Sequence, residues 1–166
     1  MFSVCLWFPE SYTTPQRKRK MPAFWEHKTL DQMTTDEWES LCDGCGRCCL
    51  HKLEDIDTGH HFYTDVACRL LDSTSCRCSQ YNIRESVVSD CLVLRPDSEK
   101  EFAWLPTTCA YRRVYEKKPL HWWHPLVSGD PDTVHAAGIS VRDSVIHESE
   151  VNKSDLEDHI IHWIDF

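Results

Sequence analysis

No apolar run in the chain approaches the ~20 consecutive residues that a membrane-spanning helix needs, so the sequence predicts no transmembrane helix. Positive charge is scarce: 18 Lys and Arg stand against 27 Asp and Glu, a formal net charge of −9. A field of this sign repels nucleic acid and anionic lipid, so neither is expected as a partner. The sequence also lacks a glycine-rich dinucleotide or methyl-donor loop and a recognisable nucleophile–base pair. It therefore indicates no catalytic residue.

The first twenty residues differ from the rest of the chain. Residues 1–8 are mostly apolar and residues 17–20 carry four positive charges, which reverses the order found in a secretory signal. We expect residues 1–20 to be a disordered N-terminal extension. Residues 21–166 are expected to form one domain, because this length supports one full core. The acidic composition and the missing signal predict a cytoplasmic protein.

Cysteine is abundant, with ten residues in a chain of 166. All but Cys5 fall between residues 42 and 109, a region for which the sequence predicts little regular structure. A hydrophobic core alone cannot hold such a region together. Thiolates that bind metal can do so, since structural metal sites supply folding free energy directly. We expect the metal ligands to be the nine clustered cysteines: Cys42, Cys45, Cys48, Cys49, Cys68, Cys76, Cys78, Cys91 and Cys109.

Capping patterns and apolar periodicity predict five elements. The capping box Thr34-x-x-Glu37 predicts a helix over 35–41, and alternation over 62–67 predicts a strand. A further helix is expected from about residue 108 to Lys118, and a second strand over 139–145. A capping box at Ser154 predicts a final helix whose apolar face is formed by Leu156, Ile160, Trp163 and Ile164. Together these elements predict a small α+β, cysteine-rich single domain that metal holds together, with short helices and few strands.

The segment 42–49 has the form of a metal-binding turn. Two thiolates separated by two residues, as in Cys42-x-x-Cys45, can chelate one ion, and Gly44 and Gly46 let the backbone curl around it. Cys48 and Cys49 are adjacent, so their side chains diverge. They are better placed to serve two sites or a bridged cluster than one mononuclear site. The sequence therefore predicts more than one metal per chain.

The cysteine spacing leaves three interpretations open. A disulfide framework is typical of oxidising compartments, which this composition does not favour. Closed zinc sites would use eight of the nine cysteines in two tetrahedral sets. An open zinc or iron site, or an iron–sulfur cluster, is the third: Cys42-x2-Cys45-x2-Cys48 matches the start of a bacterial ferredoxin run, but the fourth ligand is missing at its usual spacing. We predict zinc as the cofactor, with iron or an iron–sulfur cluster as the alternative.

These motifs resemble a known family. The chain is similar to the bacterial CxxCxxCC domain described as zinc- or iron-chelating, and residues 37–45, 48–53 and 123–126 resemble the YcgN family of proteobacterial proteins. The family has no settled activity, so the resemblance implies metal chelation and no particular reaction. The positions that carry it are Cys42, Cys45, Cys48, Cys49, Cys68, Cys78, Tyr81, Arg84 and Cys91.

Three further side chains are candidates to act around the metal. His51 could be a nitrogen ligand or a hydrogen-bond donor to one, and Tyr81 and Arg84 could donate hydrogen bonds to thiolates. The aromatic cluster at 121–125 is interpreted as core, with a pocket wall as the alternative. The predicted function is metal binding, with metal ions as partners and no protein partner identified. The alternatives are a metalloenzyme or iron–sulfur redox protein with an open coordination position, and an interaction module held by metal.

Overall fold

The computed structural model describes residues 22–165, so the predicted extension over 1–20 lies outside the described residues. Its α-helices are short: α1 (Phe24–His27), α2 (Thr35–Ser40), α3 (Arg84–Val87), α4 (Glu99–Phe102), α5 (Ala110–Tyr115), α6 (Pro125–Ser128) and α7 (Thr133–Ala136). Segments of 3₁₀ helix cover Leu30–Gln32, Arg47–Cys49, Tyr81–Ile83, Glu148–Glu150 and Lys153–His159. None of the helices in this part of the chain is long and apolar enough to cross a membrane.

Two small sheets accompany the helices. In the larger one, β1 (Leu50–Glu54) and β2 (His61–Ala67) form an antiparallel hairpin. The other edge of β2 pairs in parallel with β5 (Ile146–His147) and antiparallel with β6 (Ile160–Ile161). The smaller sheet joins β3 (Leu71–Asp72) to β4 (Arg77–Cys78). The structure confirms the predicted α+β class with short helices and few strands.

The cysteine-rich segment 42–49 lies where three clusters of buried side chains meet. Cys42 and Cys48 pack against a cluster on the helical side, which contains Leu41, Leu105 and Tyr111. Cys49 packs against a cluster under the sheet, and Cys45 belongs to a third cluster around Trp123. The sheet cluster comprises Leu50, Tyr63, Ala67, Leu71, Cys76, Val141 and Ile164. This position at the centre of the molecule explains why each of the nine cysteines within residues 22–165 is at least partly buried.

Three of the predicted elements are confirmed. The Thr34 hydroxyl accepts the N–H of Glu37 at 3.2 Å and the Glu37 carboxylate accepts the N–H of Thr34 at 2.9 Å, so the capping box begins α2. Strand β2 occupies the predicted alternating segment. Helix α5 is shorter than predicted: Cys109 is its N-cap, and the helix ends at Tyr115.

Two predicted elements are wrong. Residues 139–145 do not form a strand, because the N–H of Val141 donates to the carbonyl of Cys45 instead of to a sheet. The predicted final helix is a 3₁₀ segment followed by β6, in which Ile160 and Ile161 pair with β2. The Ser154 hydroxyl donates to the neighbouring Asp155 carboxylate and caps nothing. An apolar pattern that suits a helix is here satisfied by strand pairing.

The aromatic cluster at 121–125 is part of the core, as predicted. Trp123 and His124 are only 4% and 1% exposed, whereas Trp122 is 67% exposed. His124 Nε2 lies 3.1 Å from the carbonyl oxygen of Leu41, and its Nδ1 accepts the N–H of Leu126 at 3.1 Å. This pair of bonds fixes a neutral ring with its proton on Nε2 and connects α6 to the residue that precedes Cys42.

Candidate metal centre

Two glycines allow the chain to turn between the first cysteines. Gly44 and Gly46 have φ values of 78° and 75°, the left-handed region that other residues rarely adopt. A Cβ atom at Gly46 would lie 2.7 Å from Val141 Cγ2, so the turn also packs tightly against the C-terminal part of the chain. The Asp43 carboxylate accepts the N–H of Cys45 at 2.9 Å and stabilises the same turn. The local sequence thus supplies both the backbone freedom and the hydrogen bond that the turn requires.

Four cysteines, which we call the first thiol group, interact around this turn: Cys42, Cys45, Cys48 and Cys109. Cys109 joins the others because α5 begins beside the turn. Burial raises the pKa of Cys42 to about 11, and the negative charges of Cys48 and Asp43 act in the same direction. Burial likewise raises the pKa of Cys45 and of Cys109, which also repel each other's thiolates. Without a bound cation, Cys42, Cys45 and Cys109 are therefore held protonated at neutral pH.

Strand register brings together the first two members of a second thiol group, formed by Cys49, Cys68, Cys78 and Cys91. Leu50 in β1 is paired with Ala67 in β2, so the cysteine before β1 meets the cysteine after β2. The N–H of Cys68 donates to the carbonyl of Cys49 at 2.9 Å. The hairpin therefore determines this contact.

The small β3–β4 hairpin and a loop supply the other two members. Leu71, three residues after Cys68, is paired with Cys78. Cys91 follows α3, and its N–H donates to the carbonyl of Val88 at 3.2 Å. Burial raises the pKa of Cys91, and negative charge at Cys68 and Cys78 raises it further. These mutual effects indicate that the second thiol group shares one region of the molecule.

The two groups meet at the adjacent cysteines. The Sγ atoms of Cys48 and Cys49 lie 4.0 Å apart. Their hydrogen bond lowers the pKa of Cys48 to about 7 and raises that of Cys49, so the shared proton resides on Cys49. Lys52 lowers the pKa of both. Cys49 interacts with Cys68 of the second group, whereas Cys48 acts on the three other members of the first group and also on Cys91.

Cys76 is the ninth cysteine and borders the turn: its Cβ lies 3.4 Å from the place of a Cβ at Gly46, and it lines the same cavity as the first thiol group. It is 4% exposed, belongs to the cluster under the sheet and adopts a φ of 54°. Its thiol donates to the carbonyl of Ser73 at 3.7 Å. The sequence predicted Cys76 as a ligand along with the other eight, and the structure gives it a packing role at this position.

The sulfur atoms of the two thiol groups lie near one another but are not arranged as a coordination sphere. Among residues 22–165 no three His, Cys, Asp or Glu side chains converge closely enough to hold a metal ion. The nine cysteines in that range are all free thiols, so no disulfide links them there. The donor set itself fits zinc or iron, because soft thiols with no covalent partner are the ligands that these metals take.

A buried carboxylate also fits a cation at the first thiol group. Asp43 is 6% exposed, and only its Oδ1 atom has a hydrogen-bond partner. Oδ2 is shielded from solvent and finds no hydrogen-bond partner within residues 22–165. Sequence reasoning missed this residue, although its place between two cysteines of the turn was the available signal.

Two positively charged side chains, Arg77 and Lys52, lie beside the thiols, and the sequence analysis did not predict either of them. The Arg77 Nη1 atom donates to Cys42 Sγ at 3.5 Å, and its guanidinium covers the space where Gly44 would carry a Cβ. Lys52 Nζ donates to the carbonyls of Cys48 and Leu50 at 2.9 and 3.1 Å. Because four thiolates around a divalent ion carry net negative charge, cations at these places suit an occupied site.

The three residues predicted to act around the metal have other partners in this structure. His51 Nε2 lies 2.8 Å from Glu148, whose second oxygen accepts Arg69 Nη1 at 3.0 Å. The Tyr81 hydroxyl donates to Glu39 at 2.7 Å, and the Arg84 guanidinium lies 3.8 Å from the centre of the Tyr81 ring. All three line the larger of two cavities.

The cavities place both thiol groups within reach of small molecules. The larger has a volume of about 890 Å³, and its walls include Cys49, Cys68, Cys78 and Cys91. The smaller has a volume of about 370 Å³, and the first thiol group forms part of its wall. Trp38, Trp104 and Tyr111 supply apolar surface to the larger cavity.

Several known proteins have sequences similar to that of this chain. Residues 41–110 match the CxxCxxCC family model, whose description is "Putative zinc- or iron-chelating domain". The UPF0260 protein of Cellvibrio japonicus (strain Ueda107) is 58% identical over 141 residues, which cover 85% of this chain and 96% of that relative. That of Rhizobium etli (strain CIAT 652) is 56% identical over 140 residues, covering 84% and 89%. That of Sinorhizobium medicae (strain WSM419) is 54% identical over 144 residues, covering 87% and 92%.

No solved structure matches the chain. The matches do not test the narrower assignment to the YcgN family, which stays a prediction. High identity over nearly the whole of each relative leaves no doubt about the broader relationship: the chain belongs to the UPF0260 family of bacterial proteins and contains its CxxCxxCC domain.

Proposed function

We propose that the protein binds two zinc ions, one in the first thiol group and one in the second. The observation that carries the proposal is the division of eight cysteines into two sets of four at the Cys48–Cys49 pair. Adjacent side chains diverge, so each can join a different tetrahedral site. Cys76 is the cysteine left over, because its side chain packs in the cluster under the sheet and its thiol donates to the carbonyl of Ser73.

The raised pKa values support the same proposal. Burial raises the pKa of Cys42, Cys45 and Cys109, which leaves neutral thiols in the interior at neutral pH. A thiol that coordinates zinc is deprotonated by the ion itself. Zinc binding would thus release protons and convert the neutral thiols into thiolate ligands of a common cation.

Metal content and cysteine variants test the proposal. Protein purified without air and without added metal is analysed for zinc, iron and acid-labile sulfide, and native mass spectrometry counts the ions. We expect two zinc ions in the wild-type protein and one each in Cys45→Ser and Cys68→Ser. The matched control, Cys76→Ser, should keep two.

Three results would overturn the proposal. A single ion at full occupancy would contradict the two-site arrangement. Loss of an ion in Cys76→Ser would contradict the assignment of the ninth cysteine. A brown preparation with stoichiometric iron and sulfide would replace zinc with an iron–sulfur cluster, and redox chemistry would become the leading function.

The cavity of about 890 Å³ favours one second candidate, a metal-dependent enzyme. Its volume lies in the range of small-molecule sites, and the second thiol group forms part of its wall. In such an enzyme one coordination position would be open to substrate. Cobalt-substituted protein provides the test: a change in its visible spectrum on adding cyanide or imidazole would indicate an exchangeable position, and an unchanged spectrum would favour closed sites.

A further inference from the structure

Asp43 is buried in a manner that its hydrogen bonds do not explain. Oδ1 accepts the N–H of Cys45, which stabilises the turn. Oδ2 is shielded from solvent yet has no hydrogen-bond partner among the described residues. A buried carboxylate oxygen without a partner destabilises the folded protein. The turn alone needs only one oxygen, and an asparagine would supply that one without a charge.

The Arg77 guanidinium lies beside this turn, where its Nη1 atom donates to Cys42 Sγ at 3.5 Å. Across residues 22–165, no Lys, Arg or His nitrogen forms an ion pair with Asp43. The imidazoles that its charge reaches are His121, His124 and His135, and burial lowers the pKa of each. They are therefore neutral at pH 7 and supply no full positive charge.

The groups nearest in effect to Asp43 are thiols. Asp43 lines the smaller cavity together with all four members of the first thiol group. A metal ion held by sulfur at this place could take Oδ2 as a ligand, which would give this oxygen the partner that it lacks.

We propose that Asp43 Oδ2 is a ligand of the metal in the first thiol group and takes the place of one of its four thiolates, so that the site stays four-coordinate. This inference rests on the proposed function. The first site then binds its metal through sulfur and oxygen, while the second binds through sulfur alone. An oxygen donor makes the first site the harder of the two, so the two sites differ in metal preference.

X-ray absorption of the zinc-loaded protein tests the inference directly. Zinc–sulfur bonds measure ~2.3 Å and zinc–carboxylate bonds ~2.0–2.2 Å, so an oxygen shell is distinguishable from sulfur. We expect the oxygen shell in the wild-type protein and its loss in Asp43→Asn. The variant keeps an acceptor for the N–H of Cys45, so the turn stays intact. We also expect the affinity of one of the two sites to fall at least ~10-fold in chelator competition.

The control is Asp55→Asn. Asp55 Oδ1 also accepts a backbone N–H two residues on, from Asp57 at 2.9 Å, but it lies in an exposed turn away from the thiols. This variant should keep the oxygen shell and both affinities. An all-sulfur spectrum of the wild-type protein, which needs no variant to fold, would overturn the inference and leave the proposed function standing. An oxygen shell that persists in Asp43→Asn would also overturn it. Absence of bound metal in the wild-type protein would overturn both.

Discussion

Lys52 Nζ donates a hydrogen bond of 2.9 Å to the carbonyl oxygen of Cys48, and within residues 22–165 the ammonium has no carboxylate partner. A second bond of 3.1 Å reaches the carbonyl of Leu50, so the cation bridges the residues on either side of Cys49. The Tyr63 ring lies 5.1 Å away. The negative charge that suits this cation is that of the two thiolates beside it.

We predict that Lys52→Met weakens metal binding. Loss of the cation removes charge compensation and leaves two carbonyls without a donor, and changes of this kind around metal ligands cost ~10–100-fold in affinity. Chelator competition measures the effect. Lys153→Met is the control, because Lys153 is exposed and lines the same cavity. Equal affinities in Lys52→Met and the wild-type protein would show that the ammonium serves the turn only.

Gly46→Ala should destabilise the protein more than Gly138→Ala does. Both positions have positive φ, 75° and 67°, so each alanine costs about 1–2 kcal/mol of backbone strain. Only at Gly46 does the new Cβ meet another atom, Val141 Cγ2 at 2.7 Å, whereas nothing lies within 4 Å at Gly138. Overpacking adds about 1–3 kcal/mol. Urea unfolding of the metal-loaded proteins measures the difference, and equal losses would contradict the tight contact with Val141.

His124 should make stability fall in mild acid. Burial lowers its pKa below 6.5, and the unfolded chain therefore binds a proton that the folded protein does not. Its contribution is fully present above pH 6.5 and is lost as the pH falls from there toward the folded pKa, by at most about 1.4 kcal/mol per pH unit. The pH dependence of the urea midpoint between pH 7.5 and 5.5 measures this.

The comparison that isolates His124 uses two variants at equal metal loading. His124→Gln can still donate to Leu41 and accept from Leu126 but cannot be protonated, so its stability should depend less on pH. His162→Gln, at an exposed histidine, should match the wild-type slope. Parallel slopes in all three proteins would assign the acid sensitivity to other groups.

Metal removal should unfold the middle of the chain first. Between residues 68 and 109 the structure contains only two-residue strands, four-residue helices and a three-residue 3₁₀ segment, which cannot persist without tertiary support. Structural zinc supplies about 10–16 kcal/mol of apparent binding free energy, comparable to the stability of a whole domain. A strong chelator should lower the melting temperature steeply, with amide exchange rising earliest in this segment. Added zinc should restore both, and a melt unaffected by complete metal removal would contradict the prediction.

Local patterns predicted those parts of the fold that local interactions decide. The Thr34–Glu37 capping box is complete within four residues, and α2 follows from it. The prediction of a final helix was wrong for the opposite reason. Ile160 and Ile161 are determined by pairing with β2, almost a hundred residues earlier, and no local pattern contains that information.

In the candidate site, too, the sequence predicted what depends on local spacing and not what depends on distant contacts. Cysteine spacing predicted thiol chemistry and the separate roles of Cys48 and Cys49. That Cys76 is a ligand stays a prediction; we propose its exclusion on the basis of the hydrophobic cluster that receives its side chain, which spacing cannot reveal. The roles proposed for Asp43 and Lys52 depend on which oxygen or nitrogen finds a partner after folding. The sequence showed their charges and gave no sign of their burial.

The close packing of Gly46 against Val141 has a consequence for how this domain can be transferred between proteins. The region that the CxxCxxCC family model covers ends at residue 110, yet its turn donates Arg47 Nε to the carbonyl of Ile139 at 2.7 Å and receives the N–H of Val141 at its Cys45 carbonyl. Strands β5 and β6 also cover one edge of β2. A fragment limited to residues 41–110 would expose that edge and lose the surface against which the turn is formed. The structural unit that recombination could transfer intact therefore extends from the cysteine-rich turn to β6. The cysteine-rich part would not fold in the same way without the C-terminal strands.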